Sequence, residues 1–361
     1  MSREMEEKLK KMAKEIVEQI YAKKNPSIEL PVRTLSNVYF DEDEKLIKMG
    51  DKTSSRMYMN MAHSKKFMQT ILVANECKKI IDQGVTTSVR DLYYALKHTI
   101  KGTHENTFDE QSESDPIIED LEATLNTLRE ELNLKTDRKG YLAGGIIIND
   151  SGDLINCRKM GSSGWAIPSN VEPEVINFED VSAEYILVIE KDAVWQRLNE
   201  DKFWRDHNCI IITGKGQAAR GTRRLINRLH KEQKLPVYVI ADADPWGYYI
   251  YSVIKQGSIN LSFLSDRLGT PQARFVGLTT QDLTDFDIPR TVSIKLTKED
   301  QKRIKELMKY VWFKPKEWQK ELTHMLKSDF KLELEALSAK GIKYISKEYL
   351  PKKIEEKEFL P

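Results

Sequence analysis

The sequence predicts an α/β protein of more than one domain, and three observations carry that reading. Apolar residues recur at helical spacing through residues 65–132, broken by a turn at Gly84. From about residue 181 the texture changes to buried β-branched runs alternating with helical stretches, the pattern of a parallel sheet covered on both faces. Residues 298–361 then return to a charged, largely helical pattern that opens on Thr297 as a cap. The 361 residues suffice for about two or three hydrophobic cores, and the 40% hydrophobic content is that of a globular chain.

Composition narrows the class mainly by exclusion. The 57 basic and 56 acidic residues leave a net charge of +1, which keeps nucleic-acid binding open because that needs a local basic surface, not a basic total. The 31% of charged residues, rich in Lys and Glu, is in keeping with a heat-adapted host. Cys77, Cys157 and Cys209 are far apart and in no metal-type spacing, so neither a disulfide framework nor a zinc ribbon is expected. Residues 1–25 are charged throughout and no long apolar run follows, so neither signal peptide nor membrane span is expected, and the location expected is cytoplasmic.

In chain order, Met5, Leu9, Met12, Ile16 and Ile20 predict an amphipathic helix over 5–21 that either packs on its own domain or docks a partner. Residues 25–62 mix strand-like and turn-like stretches. Met68, Ile71, Leu72, Ile80 and Ile81 predict a helix over 65–82 that Gly84 stops. Ser88 with Asp91 forms a box-like start to a second helix, 89 to about 100. Helix, short Gly turn and helix make a helix-turn-helix, whose second helix enters the major groove in DNA binders. A third helix is expected over 117–132, after an acidic stretch, 104–116, read as a solvated loop. "GGIIINDSGDLINC" then predicts a hairpin that would close the three helices as a wing. Beyond it, strands are expected to end at Ile189, Thr213 and Ala241, each followed by a loop and a helix, with "ARFVGL" as a further strand.

In an open α/β sheet functional groups gather at the carboxyl ends of strands, and this sequence places Glu190 and the pair Asp242 and Asp244 there. One such acid is an ordinary cap or loop residue. A Glu past one strand and an Asp-x-Asp past another fit a magnesium site, since Mg²⁺ takes one or two carboxylates and keeps several waters. "GKGQAARGTRR" is not a nucleotide-binding P-loop, so ATP binding by this chain does not follow. Its Lys215, Arg220, Arg223 and Arg224, near a helix start, suit contact with a phosphate backbone or else line a solvated face.

The stretch "SVRDLYY" places two tyrosines on the second helix. At about 100° per residue, Val89, Leu92, Tyr93, Leu96 and Ile100 share one sector, and Tyr94 falls opposite. Arg90 is one turn before Tyr94 on the exposed face, and Lys97 and His98 flank it. A phenol titrates near pH 10 and is a weak nucleophile at neutral pH. An adjacent cation and a metal would make its attack on phosphate useful. The other reading is a surface tyrosine that stacks on DNA.

"SVRDLYY", "VIEKDAVWQRL", "GKGQAARGTRR" and "DADPWGYYIYSVIKQGS", in this order, resemble the A subunits of the type IIB DNA topoisomerases, topoisomerase VI, and their relatives that make meiotic double-strand breaks. The likeness runs from about residue 65 to the C-terminus, with the N-terminal helix in keeping. It departs at Ala218 and Ala219, where many members carry a Pro-Asp-like pair. The resemblance implies an N-terminal extension over 1–64, a CAP-like winged-helix domain over 65–160 and a Toprim domain with a helical C-terminal part over 161–361. It implies Tyr94 as nucleophile, Arg90 as its helper, and Glu190, Asp242 and Asp244 as Mg²⁺ ligands. It further implies double-stranded DNA as substrate and a homodimer in which one protomer's tyrosine meets the other's metal site. A GHKL-class ATPase B subunit, which binds the ATP, would complete an A2B2 enzyme of an archaeal, nucleoid-associated kind. A Toprim-type metal nuclease and a winged-helix regulator without catalysis are the rival readings.

Overall fold

The structure, a computed structural model, describes residues 2–136 and 138–361. They form two compact units. The first runs to Val38 and resumes from Met49 to residue 136, and the second takes Tyr39–Lys48 and everything from Arg138 onward. The multi-unit α/β architecture expected from the sequence is the one found.

In the first unit, helices α1 (Ser2–Tyr21), α2 (Ser64–Asp82), α3 (Val89–Leu96) and α4 (Gln111–Leu125) accompany the antiparallel pair β1 (Ser27–Pro31) and β2 (Thr53–Met57). Met5, Leu9 and Met12 of α1 enter one core with Val73 and Cys77 of α2, Leu92 and Tyr93 of α3, and Ile118 and Leu121 of α4. Burying each such side chain stabilises by about 1.5–3 kcal/mol, which explains why the apolar stripe of α1 lies against its own unit. Ile16 joins a satellite cluster with Ile28, Leu30 and Phe67, while Ile20 and Tyr21 stay exposed.

Two helix boundaries differ from expectation. Helix α3 stops at Leu96, because Lys97 turns extended and Thr107 Oγ1 donates to the Leu96 carbonyl at 2.6 Å. His98 and Ile100 therefore lie beyond the helix. Helix α4 begins at Gln111 and ends where Asn126 turns left-handed, so residues 111–116 are helical and Leu128 and Leu132 pack from the turns that follow. Pro116 lies inside α4 as its sixth residue, where the missing N–H gives up one i→i−4 hydrogen bond.

The second unit is built on strands β3 (Tyr141–Gly144), β4 (Ile146–Asp150), β5 (Asp153–Asn156), β6 (Ile176–Val181), β7 (Tyr185–Ile189), β8 (Cys209–Thr213), β9 (Val237–Ile240) and β10 (Arg274–Gly277). The main sheet runs Trp165–Ala166, β3, β8, β7, β9, β10; its last four strands are mutually parallel, and the first two strands are antiparallel. Every residue of β7 and β8 is buried, as strands covered on both faces must be. Helices α5 (Asp192–Glu200), α6 (Arg220–Gln233) and α7 (Pro245–Gln256) make the connections, and α8 (Lys298–Leu307) and α9 (Lys316–Ser328) follow. Thr297 and Asp300 form a full capping box at the start of α8.

The hairpin expected as a wing forms as β4–β5, but β4 pairs with β6 on its other edge. It therefore belongs to the second unit. The reason is burial, since Ile146, Ile148 and Ile176 are all fully buried in this three-stranded sheet. Residues 39–48 also serve the second unit, with Lys48 paired to Asp266 at 3.2 Å and the Phe40 ring 6.1 Å from that of Trp312. The three cysteines are free and buried. Among the described residues no helix is long and apolar enough to cross a membrane.

Candidate active site

Each unit contributes one group of functional side chains. In the first, Ser88 caps α3 by accepting from the Asp91 N–H at 2.9 Å and donating to its carboxylate at 2.7 Å. That start fixes the phase of a short helix. Tyr93 is 6% exposed, and its hydroxyl donates to the Asp109 carbonyl at 2.9 Å and accepts from Lys97 Nζ at 2.8 Å. Tyr94 is 60% exposed, with its ring centroid 5.0 Å from that of Tyr93. Arg90 is exposed one turn earlier. The phenol is thus displayed on a ring that is anchored from behind. Lys97 also donates to the Asp109 carbonyl at 2.8 Å, so its ammonium is committed to holding Tyr93, while His98 is exposed past the helix end.

In the second unit Ile189 is in register with both Thr213 and Ile240, which brings Glu190 beside the residues that follow β9. Glu190 Oε2 faces the Asp242 N–H at 3.4 Å. Burial, with Asp242 beside it, pushes the Glu190 carboxyl up to about 7. Burial likewise pushes Asp242 up to about 6, against the opposing pull of Lys191 and of the Leu334 N–H. The Gly-containing loop after β8 folds over this end, with the Gly216 N–H donating to the Glu190 carbonyl at 2.8 Å. Gly216 and Lys215 both adopt positive φ there, which suits the glycine.

Asp244 serves the helix as well. It is the N-cap of α7, its Oδ1 accepting from the Gly247 N–H at 2.6 Å. Burial raises its pKa, countered by that N–H and by Lys331. Among the described residues no three His, Cys, Asp or Glu side chains converge closely enough to form a metal centre by themselves. The residues present nevertheless fit Mg²⁺. Two buried carboxylates at neighbouring strand ends repel one another and call for positive charge, and a hard cation that keeps its waters needs only one or two of them.

Lys191 is the group that reading along the sequence missed, although it stands next to Glu190. Its ammonium lies 2.9 Å from Asp242 Oδ2, 2.6 Å from Glu335 and 3.5 Å from Glu333. Burial works against this charge, but Glu335 and Asp242 outweigh it and hold the pKa above the ordinary lysine value. The segment carrying those acids was missed too. Leu332 bridges to Ala243, and the Leu334 N–H donates to Asp242 Oδ1 at 2.7 Å. The alternating "FKLELE" run is the only local signal for it.

The four cations expected on a phosphate-binding face are not presented together. Arg224 is locked to Glu172 by two hydrogen bonds of 2.6 and 2.7 Å, and Arg223 is buried. Lys215 lies 4.4 Å above the Tyr141 ring and 3.6 Å from Asp192, and Arg220 opens α6. The expectation of one solvated basic face is corrected for Arg223 and Arg224: Arg223 turns inward on an amphipathic helix packed against the sheet, and Arg224 is half-buried and held by Glu172.

Comparison with known proteins agrees with this division. Residues 65–134 match a family described as type IIB DNA topoisomerase. Residues 139–182 match the all-beta domain in the DNA topoisomerase VI alpha subunit, which contains the displaced hairpin. Residues 185–354 match the Toprim domain that Spo11 shares with the A subunit of topoisomerase 6. The A subunit of type 2 DNA topoisomerase 6 from Pyrococcus abyssi is 47% identical, with 98% of this chain and 94% of that protein aligned. Those of Hyperthermus butylicus and Methanocaldococcus jannaschii are 44% and 38% identical, over 95% and 98% of this chain and 92% and 96% of theirs. The chain belongs to the family of topoisomerase VI A subunits, the DNA-cleaving subunits of the type IIB DNA topoisomerases.

Proposed function

We propose that Tyr94 is the nucleophile of a reversible transesterification that cuts and rejoins duplex DNA. The observation that carries this is the split between the tyrosines: Tyr93 is hydrogen-bonded inside the core, and Tyr94 is exposed one helical turn after the exposed Arg90. The Tyr94 oxygen attacks a backbone phosphorus, the bond from phosphorus to the 3′ oxygen breaks, and a 5′-phosphotyrosyl link and a 3′-hydroxyl result. The phenol gives up its proton to solvent and the departing 3′ oxygen takes one up. Arg90 offsets charge on the phosphate under attack.

Glu190 and Asp242 would hold Mg²⁺, with Asp244 acting directly or through water. Bound there, the ion would neutralise charge on the scissile or neighbouring phosphate and stabilise the 3′ oxygen. Because the phosphoester bond is exchanged and not hydrolysed, rejoining needs no ATP. Strand passage, which relaxes supercoils and separates linked circles, draws on ATP bound by a GHKL-type B subunit in an A2B2 assembly. Residues 1–64 would dock that subunit through the face of α1 left exposed, since its apolar stripe is buried in its own unit, and two copies of this chain would share each active site in the cytoplasm. The helices after residue 64, with His98, Lys215 and Arg220, would meet the duplex, and Lys97 would do so only on leaving Tyr93 and the Asp109 carbonyl.

The test mixes this chain with its ATPase partner, ATP, Mg²⁺ and supercoiled plasmid, then denatures the reaction. Protein linked to 5′ ends is expected, reduced on the order of a thousandfold or more by Tyr94→Phe and retained by Tyr93→Phe. Adducts that survive in Tyr94→Phe, or free 5′ ends in place of adducts, would refute the assignment; free ends would point to a metal nuclease.

A further inference from the structure

Asp244, the cap of α7, is followed within the first turn by Pro245 and Trp246. The chain has six tryptophans; Trp246 is 49% exposed and the other five are buried. An exposed indole next to an acid cluster is not explained by packing, because a solvent-facing helix start gains nothing from it. Nor is the ring loose. The Arg303 guanidinium of α8 lies 5.1 Å from the Trp246 ring centroid and 4.2 Å from that of Tyr249, one turn further along α7. One nitrogen of Arg303 bonds Glu306 at 3.2 Å, while its Nε has no hydrogen-bond partner. On the neighbouring α6, Arg223 is buried, and its Nε and Nη1 lack partners as well. Guanidinium nitrogens without hydrogen-bond partners thus lie near α7 as well as the acids, and a cation–π contact to Arg303 biases the orientation of the indole.

We propose that Trp246, oriented by Arg303, is a DNA-positioning platform that packs on the sugar and base of the nucleotide beside the scissile phosphate. This rests on the assignment of Glu190 and Asp242 to the cleavage site. Three features favour a nucleotide as the occupant. Trp246 follows Asp244 within the first turn of α7, so a polymer bound at the acids has the ring within reach. A flat aromatic face suits a sugar or base, each of which has an apolar surface. The Mg²⁺ that the neighbouring acids would hold suits a phosphate chain and not a basic protein segment. In this role Trp246 fixes where along the duplex the tyrosine attacks, and Arg303 acts through Trp246 and not on the DNA.

Because the other tryptophans are buried, the unmodified full-length chain reports on the platform directly. Acrylamide quenching of tryptophan emission would be measured in Mg²⁺ with and without a short fluorescein-labelled duplex, with binding followed by anisotropy. The duplex is expected to remove the quencher-accessible component. Trp246→Ala should weaken binding about tenfold with an unchanged salt slope, since no phosphate contact is lost, and Trp246→Phe should recover most of the affinity. A duplex that binds while the accessible emission persists would overturn the proposal, as would wild-type affinity in Trp246→Ala. Failure of the Tyr94 assignment would read differently, as absence of the 5′ adduct in wild-type and Trp246→Phe proteins alike, with the protection of Trp246 intact.

Discussion

Adjacent tyrosines receive opposite roles because a helix advances about 100° per residue, enough to put one in the core and the next in solvent. Glu190 and Asp242 are held in surroundings that favour their neutral forms, the mark of side chains placed for a ligand. Mg²⁺ should therefore raise the melting temperature of the wild-type chain and fail to do so in a Glu190→Gln, Asp242→Asn double variant, measured by thermal unfolding against a chelator control. An equal shift in both would remove the acids from metal binding. Lys255 supplies a pH prediction. Burial, with Arg274 adding, pushes its pKa from 10.5 down to about 8 although it donates 2.6 Å bonds to the Pro271 and Ala273 carbonyls. Between about pH 8 and 10.5 the unfolded chain holds a proton that the folded chain has released, so this residue's contribution to stability rises with pH across that window. Relative to Lys255→Met, the wild type should gain on the order of 1–3 kcal/mol from pH 7.5 to 10 by denaturant unfolding. A difference independent of pH would refute the shift.

At the scale of elements, the start of α3 was legible and its end was not. Ser88 and Asp91 are three residues apart and make their bonds locally, so spacing alone identifies the cap. The end depends on Thr107, which reaches the Leu96 carbonyl from a later loop, and no pattern within 89–100 records that contact. Ser88→Ala should cost about 1 kcal/mol in urea unfolding, and adduct formation should fall with it, because so short a helix has few other bonds to hold Tyr94 in phase. An unchanged stability would show that packing of Leu92 and Tyr93 suffices. Parallel strands β7, β8 and β9 were legible for a similar reason: continuous apolar runs have few alternatives to a buried sheet. The hairpin β4–β5 was recognised and misplaced, since a hairpin signal states that two strands pair but says nothing of which third strand covers them.

At the scale of the whole molecule, the tyrosine and the acids belong to different compact units of one chain, and the proposed enzyme joins them across a dimer. Mixing Tyr94→Phe chains with Asp242→Asn chains tests this. If each site combines the tyrosine of one protomer with the metal ligands of the other, the mixed dimer keeps one complete site and nicks plasmid when ATP and the ATPase partner are present. If the site is formed within a protomer, the mixture stays inert like either variant alone. The sequence by itself determined the helix phase that separates Tyr93 from Tyr94, the strand ends that carry Glu190 and Asp242, and the α/β class, because each is written in local periodicity. Tertiary structure alone decided that Lys191 and the Leu334 N–H brace Asp242, that Asp244 also caps α7, that Arg223 turns inward while Glu172 holds Arg224, and that the hairpin joins the second unit. Those outcomes depend on which distant segments are brought together to bury apolar surface and to satisfy buried charge, and residue spacing carries no record of that choice.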